Sequence, residues 1–181
     1  AGVITRIDLT PGKLRYTARA LDVGIGGMGF FVLKHEGRTY FSRSGRFTLD
    51  EQRRLVLADT VIPCTLEPEI VIPDDATGVT IDQYGSVAAG NSVSTAREVV
   101  GQIELALFLD PTALTPVAGS LYAASDDSGP AAIDRPAKEN RGLLSQYHLE
   151  ASNVSFESEF ERIQQIDQLI HLLNSHQASR D

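Results

Sequence analysis

Tryptophan is absent from this chain, and cysteine and methionine occur once each among its 181 residues. The single cysteine, Cys64, permits no intrachain disulfide and no cysteine-based metal site. Basic residues are scarce: 16 Lys and Arg stand against 24 Asp and Glu, a formal net charge of -8. That balance argues against nucleic acid and anionic lipid as partners, since both select Lys/Arg patches. No run approaches the ~18 apolar residues of a membrane-crossing helix, so no membrane insertion is expected. Aromatics make up only 7% of the chain, yet hydrophobic residues reach 42%, enough for a proper core.

What the chain has is short alternating runs punctuated by turns. In residues 21–59, Leu21, Val23 and Ile25 alternate before a glycine cluster and the apolar run Phe30-Phe31-Val32-Leu33. Thr39-Tyr40-Phe41, Phe47-Thr48-Leu49 and Leu55-Val56-Leu57 follow, each bounded by turn residues. Period-2 runs of β-branched and aromatic residues between glycine-bearing turns predict antiparallel strands. Residues 13–17 predict an edge strand after Pro11-Gly12, and Val79, Ile81 and Val87 flank the turn at Gly85. Ile70-Val71-Ile72 forms a further apolar run, and residues 90–97 predict a polar loop. Ile103, Leu105, Leu107 and Leu109 predict the longest strand, and residues 125–141 an exposed loop. Leu143, Tyr147, Leu149 and Ala151 return to period 2.

The period changes near Ser155. Phe156, Phe160, Ile163, Ile166, Ile170 and Leu173 recur at spacings of three and four, one face of an amphipathic helix with Asn153 or Ser155 as N-cap. The expected architecture is mainly β: a multi-stranded domain of short antiparallel strands over 1–152, then one long C-terminal helix over 153–181. The stripe repeats near every ~3.5 residues, a helix–helix seam. Capping of the sheet by this helix is the other use open to it.

Candidate chemistry is thin. Residues 24–29 match G-x-G-x-x-G, but a strand signal follows where a dinucleotide site needs a helix. The glycines are better explained by positive φ and close backbone approach. His35, His148, His171 and His176 show no metal spacing. Asp74-Asp75 and Asp126-Asp127 sit in turns where Asp is expected. Asn153-Val154-Ser155 is a formal glycosylation sequon at a helix start, and Cys64 has no neighbouring His to activate it. No catalytic, cofactor-binding or metal residue is expected.

Taken together, L-D-V-x-I-x-G-x-G-F-F at 21–31, Tyr40-Phe41-Ser42-Arg43-Ser44-Gly45-Arg46-Phe47 and Arg54-Leu55-Val56 resemble the flagellar basal-body rod and hook family, its rod members most of all. The likeness continues through Ile70-Val71-Ile72-Pro73, Val100-Gly101-Gln102-Ile103, Gly119-Ser120-Leu121-Tyr122 and Leu149-Glu150-Ala151-Ser152-Asn153-Val154. Gly26, Gly29, Phe30, Phe31 and Gly45 are its structural signature. The resemblance implies a structural subunit, not an enzyme, that self-assembles into the periplasm-spanning rod and transmits torque to the hook. Its partners would be further copies, other rod and hook axial proteins and the flagellar export apparatus, which needs no signal peptide. It also implies a helix preceding Ala1 and a longer C-terminal helix. Departures mark a divergent member: Glu51-Gln52-Arg53 stands where Asp-Gly is usual, and residues 167–171 replace the usual helical segment. A β-rich module binding peptidoglycan or carbohydrate is the alternative, and it would need an exposed aromatic platform.

Overall fold

The computed structural model describes residues 11–91 and 97–151. The expected helix over 153–181, with its apolar stripe, lies outside them. The chain divides into two units, 1–151 and 152–181, and all the described residues belong to the first.

Its strands, in order, are β1 Leu14–Tyr16, β2 Val23–Gly26, β3 Phe30–His35, β4 Arg38–Ser42, β5 Phe47–Leu49, β6 Leu55–Leu57, β7 Thr65–Leu66 and β8 Ala76–Ile81. They continue as β9 Ser86–Asn91, β10 Arg97–Gln102, β11 Leu105–Leu107, β12 Thr115–Ala118, β13 Leu121–Ala123, β14 Ala132–Asp134, β15 Leu143–Gln146 and β16 His148–Glu150. The described unit is thus mainly β, with antiparallel pairing in the ladders of all these strands.

A nine-stranded sheet runs β12-β13-β4-β3-β7-β6-β5, with β11 joined to β3 and β14 joined to β11. β3 is its pivot, paired with β4, β7 and β11. Its run of four buried residues, Phe30 to Leu33, follows from its position between two apolar clusters. Phe31 and Leu33 enter the larger cluster with Val23, Phe47, Leu55 and Leu105. Phe30 and Val32 enter the smaller one with Phe41, Phe108 and Leu114. β4 divides its side chains the same way, Tyr40 to one cluster and Phe41 to the other. A strand buried on both faces reads as a continuous apolar run rather than an alternation. Edge-to-face rings tie each cluster: Phe31 to Phe47 at 5.1 Å, Phe41 to Phe108 at 4.7 Å.

Several expectations need correction. Residues 103–109 are not one strand: β10 ends at Gln102, β11 covers only Leu105–Leu107, and Leu109 lies exposed. The alternation breaks because Ile103 and Leu105 serve the larger cluster while Ala106 and Phe108 serve the smaller. Residues 90–97 are not wholly loop, since Gly90 and Asn91 belong to β9 and Arg97 opens β10. Residues 125–141 are not an exposed loop either. They contain β14, and both Ser128 and Arg141 are buried. Arg141 is tolerated there because its guanidinium donates to the carbonyls of Leu105 (3.0 Å), Lys138 (3.1 Å) and Ala132 (2.7 Å) and meets Glu139 at 3.3 Å. In β15 it is Leu144, not Leu143, that is buried, and Tyr147 at φ 63° interrupts the period before β16.

The candidate assembly junction

The ends of the described β-unit meet in one ribbon. β1 and β16 pair with Leu14 opposite Glu150 and Tyr16 opposite His148. Ala151 N donates to Lys13 O at 2.8 Å, Thr17 N to Tyr147 O at 2.7 Å, and Gly12 N to a Glu150 carboxylate oxygen. Residues 12–17 and 147–151 therefore run side by side.

A clasp fixes that ribbon to the glycine-rich turn. Arg43 follows β4, where Ser42 Oγ accepts from Ser44 N at 3.0 Å and turns the chain. The Arg43 Nη1 donates to the carbonyls of Gly27 at 2.8 Å and Gly29 at 2.6 Å, and Nη2 to Ile25 O at 3.4 Å. Its Nε donates to Glu150 Oε2 at 2.8 Å, in an ion pair with side chains only 14% and 13% exposed. One guanidinium thus joins β2, the turn into β3 and the last strand of the unit. Charge-assisted bonds in a partly dry setting are stronger than neutral ones, and the planar fork suits several acceptors at once.

Glycine is required at specific points around the clasp. At Gly45 an added Cβ would stand 1.9 Å from Val23 O and 2.7 Å from the Phe31 ring. The close approach lets Val23 N donate to Gly45 O at 2.9 Å, stitching β2 to the start of β5. Gly29 sits at φ +127°, which L side chains rarely adopt. Gly26, by contrast, pairs with Leu143 in β2, and a Cβ there would make only ordinary contacts. Phe30 and Phe31, which follow the turn, enter opposite clusters.

This geometry is mechanical. Around Arg43 the 24–29 turn presents carbonyls of Ile25, Gly27 and Gly29, whereas a phosphate cradle presents N–H groups. Among the described residues no group of three or more His, Cys, Asp or Glu could hold a metal ion. His35 and His148 each place Nδ1 2.7 Å from a backbone carbonyl, of Pro63 and Gln146. Asp74 pairs with Arg53 at 3.3 Å, and Asp126 closes a turn by accepting from Gly129 N. Burial pushes the Cys64 thiol above its ordinary value, away from nucleophilic use. His171, His176 and the stripe Phe156, Phe160, Ile163, Ile166, Ile170 and Leu173 lie outside the described residues. The reading from sequence gave no role to Arg43 or Glu150. Both lie within stretches that carry the family likeness, but no local pattern pairs them.

Residues 24–89, from β2 to β9, match the family described as the flagellar hook protein FlgE/F/G D1 domain. The chain is 34% identical over 160 residues to the flagellar basal-body rod protein FlgG of Caulobacter vibrioides, covering 88% of this chain and 60% of that protein. It is 32% identical over 162 residues to FlgG of Bacillus subtilis, covering 88% and 61%. The flagellar hook protein FlgE of Escherichia coli matches at 36% over 94 residues, 49% of this chain and 23% of its own.

The chain belongs to the flagellar rod and hook family. It spans about 60% of the length of the rod proteins it matches. The matched domain contains Arg43 and Gly45, whereas Glu150 lies beyond it. Nothing in these likenesses supports the glycan-binding alternative.

Proposed function

We propose that the protein is a structural, non-enzymatic subunit of the flagellar basal-body rod, of the FlgG or distal type, which polymerises with its own copies and with other rod and hook axial proteins. The observation that carries this reading is the β1–β16 ribbon, held by Arg43 and Glu150, which brings the first and last described stretches of the unit together. A subunit that transmits torque between terminal segments and an outer β-domain needs a stiff connection at that point, and an ion pair bonded to three further carbonyls is one. The rod crosses the periplasm, and in this reading the subunit reaches it through the flagellar export apparatus.

Assembly in this reading is driven by the stripe Phe156, Phe160, Ile163, Ile166, Ile170 and Leu173, a role that rests on its sequence spacing. Six large apolar side chains, at ~1.5–3 kcal/mol each when buried, exceed a moderate association cost. The test is electron microscopy of basal bodies from the parent bacterium with the gene deleted, then restored with the natural chain or with Ile163→Asp/Ile170→Asp. Deletion should leave rods that stop short at a defined length, rescued by the natural chain and not by the double variant. The β-domain's thermal transition should barely move in that variant. Complete rods in the deletion strain overturn the rod role; complete rods with the double variant overturn the stripe as its seam.

A further inference from the structure

β11 and β14 form a short ladder, Leu105 opposite Asp134 and Leu107 opposite Ala132. The two ends of this ladder carry opposite chemistry. Just beyond the Leu107 end stands Leu109, 95% exposed, close enough to Gly129 that a Cβ added there would lie 3.9 Å from the Leu109 Cβ. The neighbouring turn bears Asp126 and Asp127, both exposed. That turn is rigidly built: buried Ser128 donates from Oγ to Ser125 O at 2.9 Å and accepts from Ser125 N at 2.9 Å, while Ser125 Oγ donates to Ala113 O at 2.7 Å. The result is an apolar tip flanked by two carboxylates on a preorganised base.

Beyond the Leu105 end lies an open groove of about 650 Å³, bordered by Tyr84, Val99, Gln102 and Arg135. Tyr84 is 54% and Val99 65% exposed. Ile103 N donates to Gly85 O at 2.7 Å, pinning the Tyr84 turn beside the ladder. The Arg135 side chain is exposed and has no hydrogen-bonded or ion-pair partner among the described residues. Asp82 also lines the groove, but its Oδ1 is taken up by Tyr84 N and Ser86 N, both at 2.9 Å.

We propose that the groove at Tyr84, Val99 and Arg135 receives the Leu109 tip of a second copy of this chain, with Asp126 or Asp127 of that copy meeting Arg135. The inference rests on the rod reading, which supplies the second copy, and deepens it by naming the surfaces in contact. Apolar and charged features match across the pair, and single exposed leucines need no partner unless such a match exists. Tip and groove lie at opposite ends of one ladder, up to roughly 20 Å apart at ~3.3 Å per residue. A contact between different patches is heterologous, so repeating it extends a chain of subunits unless its rotation closes a ring.

The test is site-directed cross-linking in the parent bacterium, with the gene product carrying Leu109→Cys in one copy and Val99→Cys in a co-expressed tagged copy. Treatment with a short bismaleimide should yield a tip-to-groove dimer in isolated basal bodies. Val117→Cys paired with Val99→Cys should yield none. Both substitutions lie on exposed side chains, and swimming of each strain verifies that the variants fold and assemble. Swimming cells whose rods give no 99–109 cross-link overturn this contact while leaving the rod role intact. Cross-links between two Val99→Cys copies, with none to Leu109→Cys, overturn it in favour of a symmetric edge contact. Charge reversal checks the ionic half: Arg135→Glu should abolish the cross-link, and adding Asp126→Lys/Asp127→Lys to the tip-bearing copy should restore it.

Discussion

The nine-stranded sheet and the three-stranded sheet β8-β9-β10 use the same short antiparallel strands to different ends. In the first, β3 is buried on both faces between a mainly aliphatic cluster and a smaller one rich in Phe. In the second, only Ile81, Val87 and Ala89 are buried, and β10 turns Arg97, Glu98 and Val99 to solvent. The first sheet supplies most of the buried side chains, while the second adds Ile81 and Val87 to the larger cluster and turns much of its surface to solvent. Urea denaturation of paired variants measures that division most sharply. Phe31→Ala removes a fully buried ring packed on Phe47 and should cost about 3–5 kcal/mol. Val99→Ala in the thin sheet should stay within ~0.5 kcal/mol. Equal losses at the two positions would show that the second sheet shares the load.

Arg43 tests whether the polar clasp belongs to the stable region or to its rim. Arg43→Met keeps much of the side-chain stem but removes the donors to Gly27, Gly29, Ile25 and Glu150. Breaking a fully buried pair costs ~3–5 kcal/mol, and the residual exposure of these side chains brings the expected loss to about 2 kcal/mol. Glu150→Gln in the same background should then add little, because the interaction it would disrupt is already gone. A double-mutant cycle with no coupling between the two positions would reduce Arg43 to its three carbonyl contacts.

The thick sheet was the legible part of this sequence. Phe30-Phe31-Val32-Leu33 and the runs around Tyr40, Phe47 and Leu55 declare their strands because apolar runs between turns have few other solutions. Where one segment serves two clusters, as at 103–108, periodicity misleads, since burial no longer follows one face. Arg141 was illegible for another reason: its three carbonyl acceptors come from residues up to 36 positions away. Arg53 shows a family departure absorbed locally. It takes φ 59° in the turn where Asp-Gly is usual, and its guanidinium donates to Ile72 O and Pro73 O, both at 2.9 Å. The clasp itself was half visible. Arg43 and Glu150 both lay within stretches that carry the family likeness, but only the fold brings them together across 107 residues.

At the rim of the thick sheet the contrast between the two sheets should disappear, and Asp50 provides the smallest test. Its carboxylate, 19% exposed, caps the β5–β6 turn by accepting from Gln52 N at 3.0 Å and Arg54 N at 2.8 Å, and it pairs with the Arg54 side chain at 2.7 Å. Burial alone would raise its pKa, but the Arg54 side-chain bond, the backbone bonds and the Arg54 charge outweigh it, leaving the value below 3.8. A carboxylate with a depressed folded pKa adds stability above its unfolded pKa and loses it as pH falls through the folded one. Asp50→Asn can keep both backbone acceptances through its Oδ1 and loses only the charge. The natural chain should therefore exceed Asp50→Asn by under about 1 kcal/mol from pH 5 to 8, as expected for a rim ion pair, with the gap closing below about pH 4. Urea midpoints of both chains across that range decide the matter. A gap that widens on acidification would mean that Asp50 is held by its neutral form, and that this turn belongs to the buried region after all.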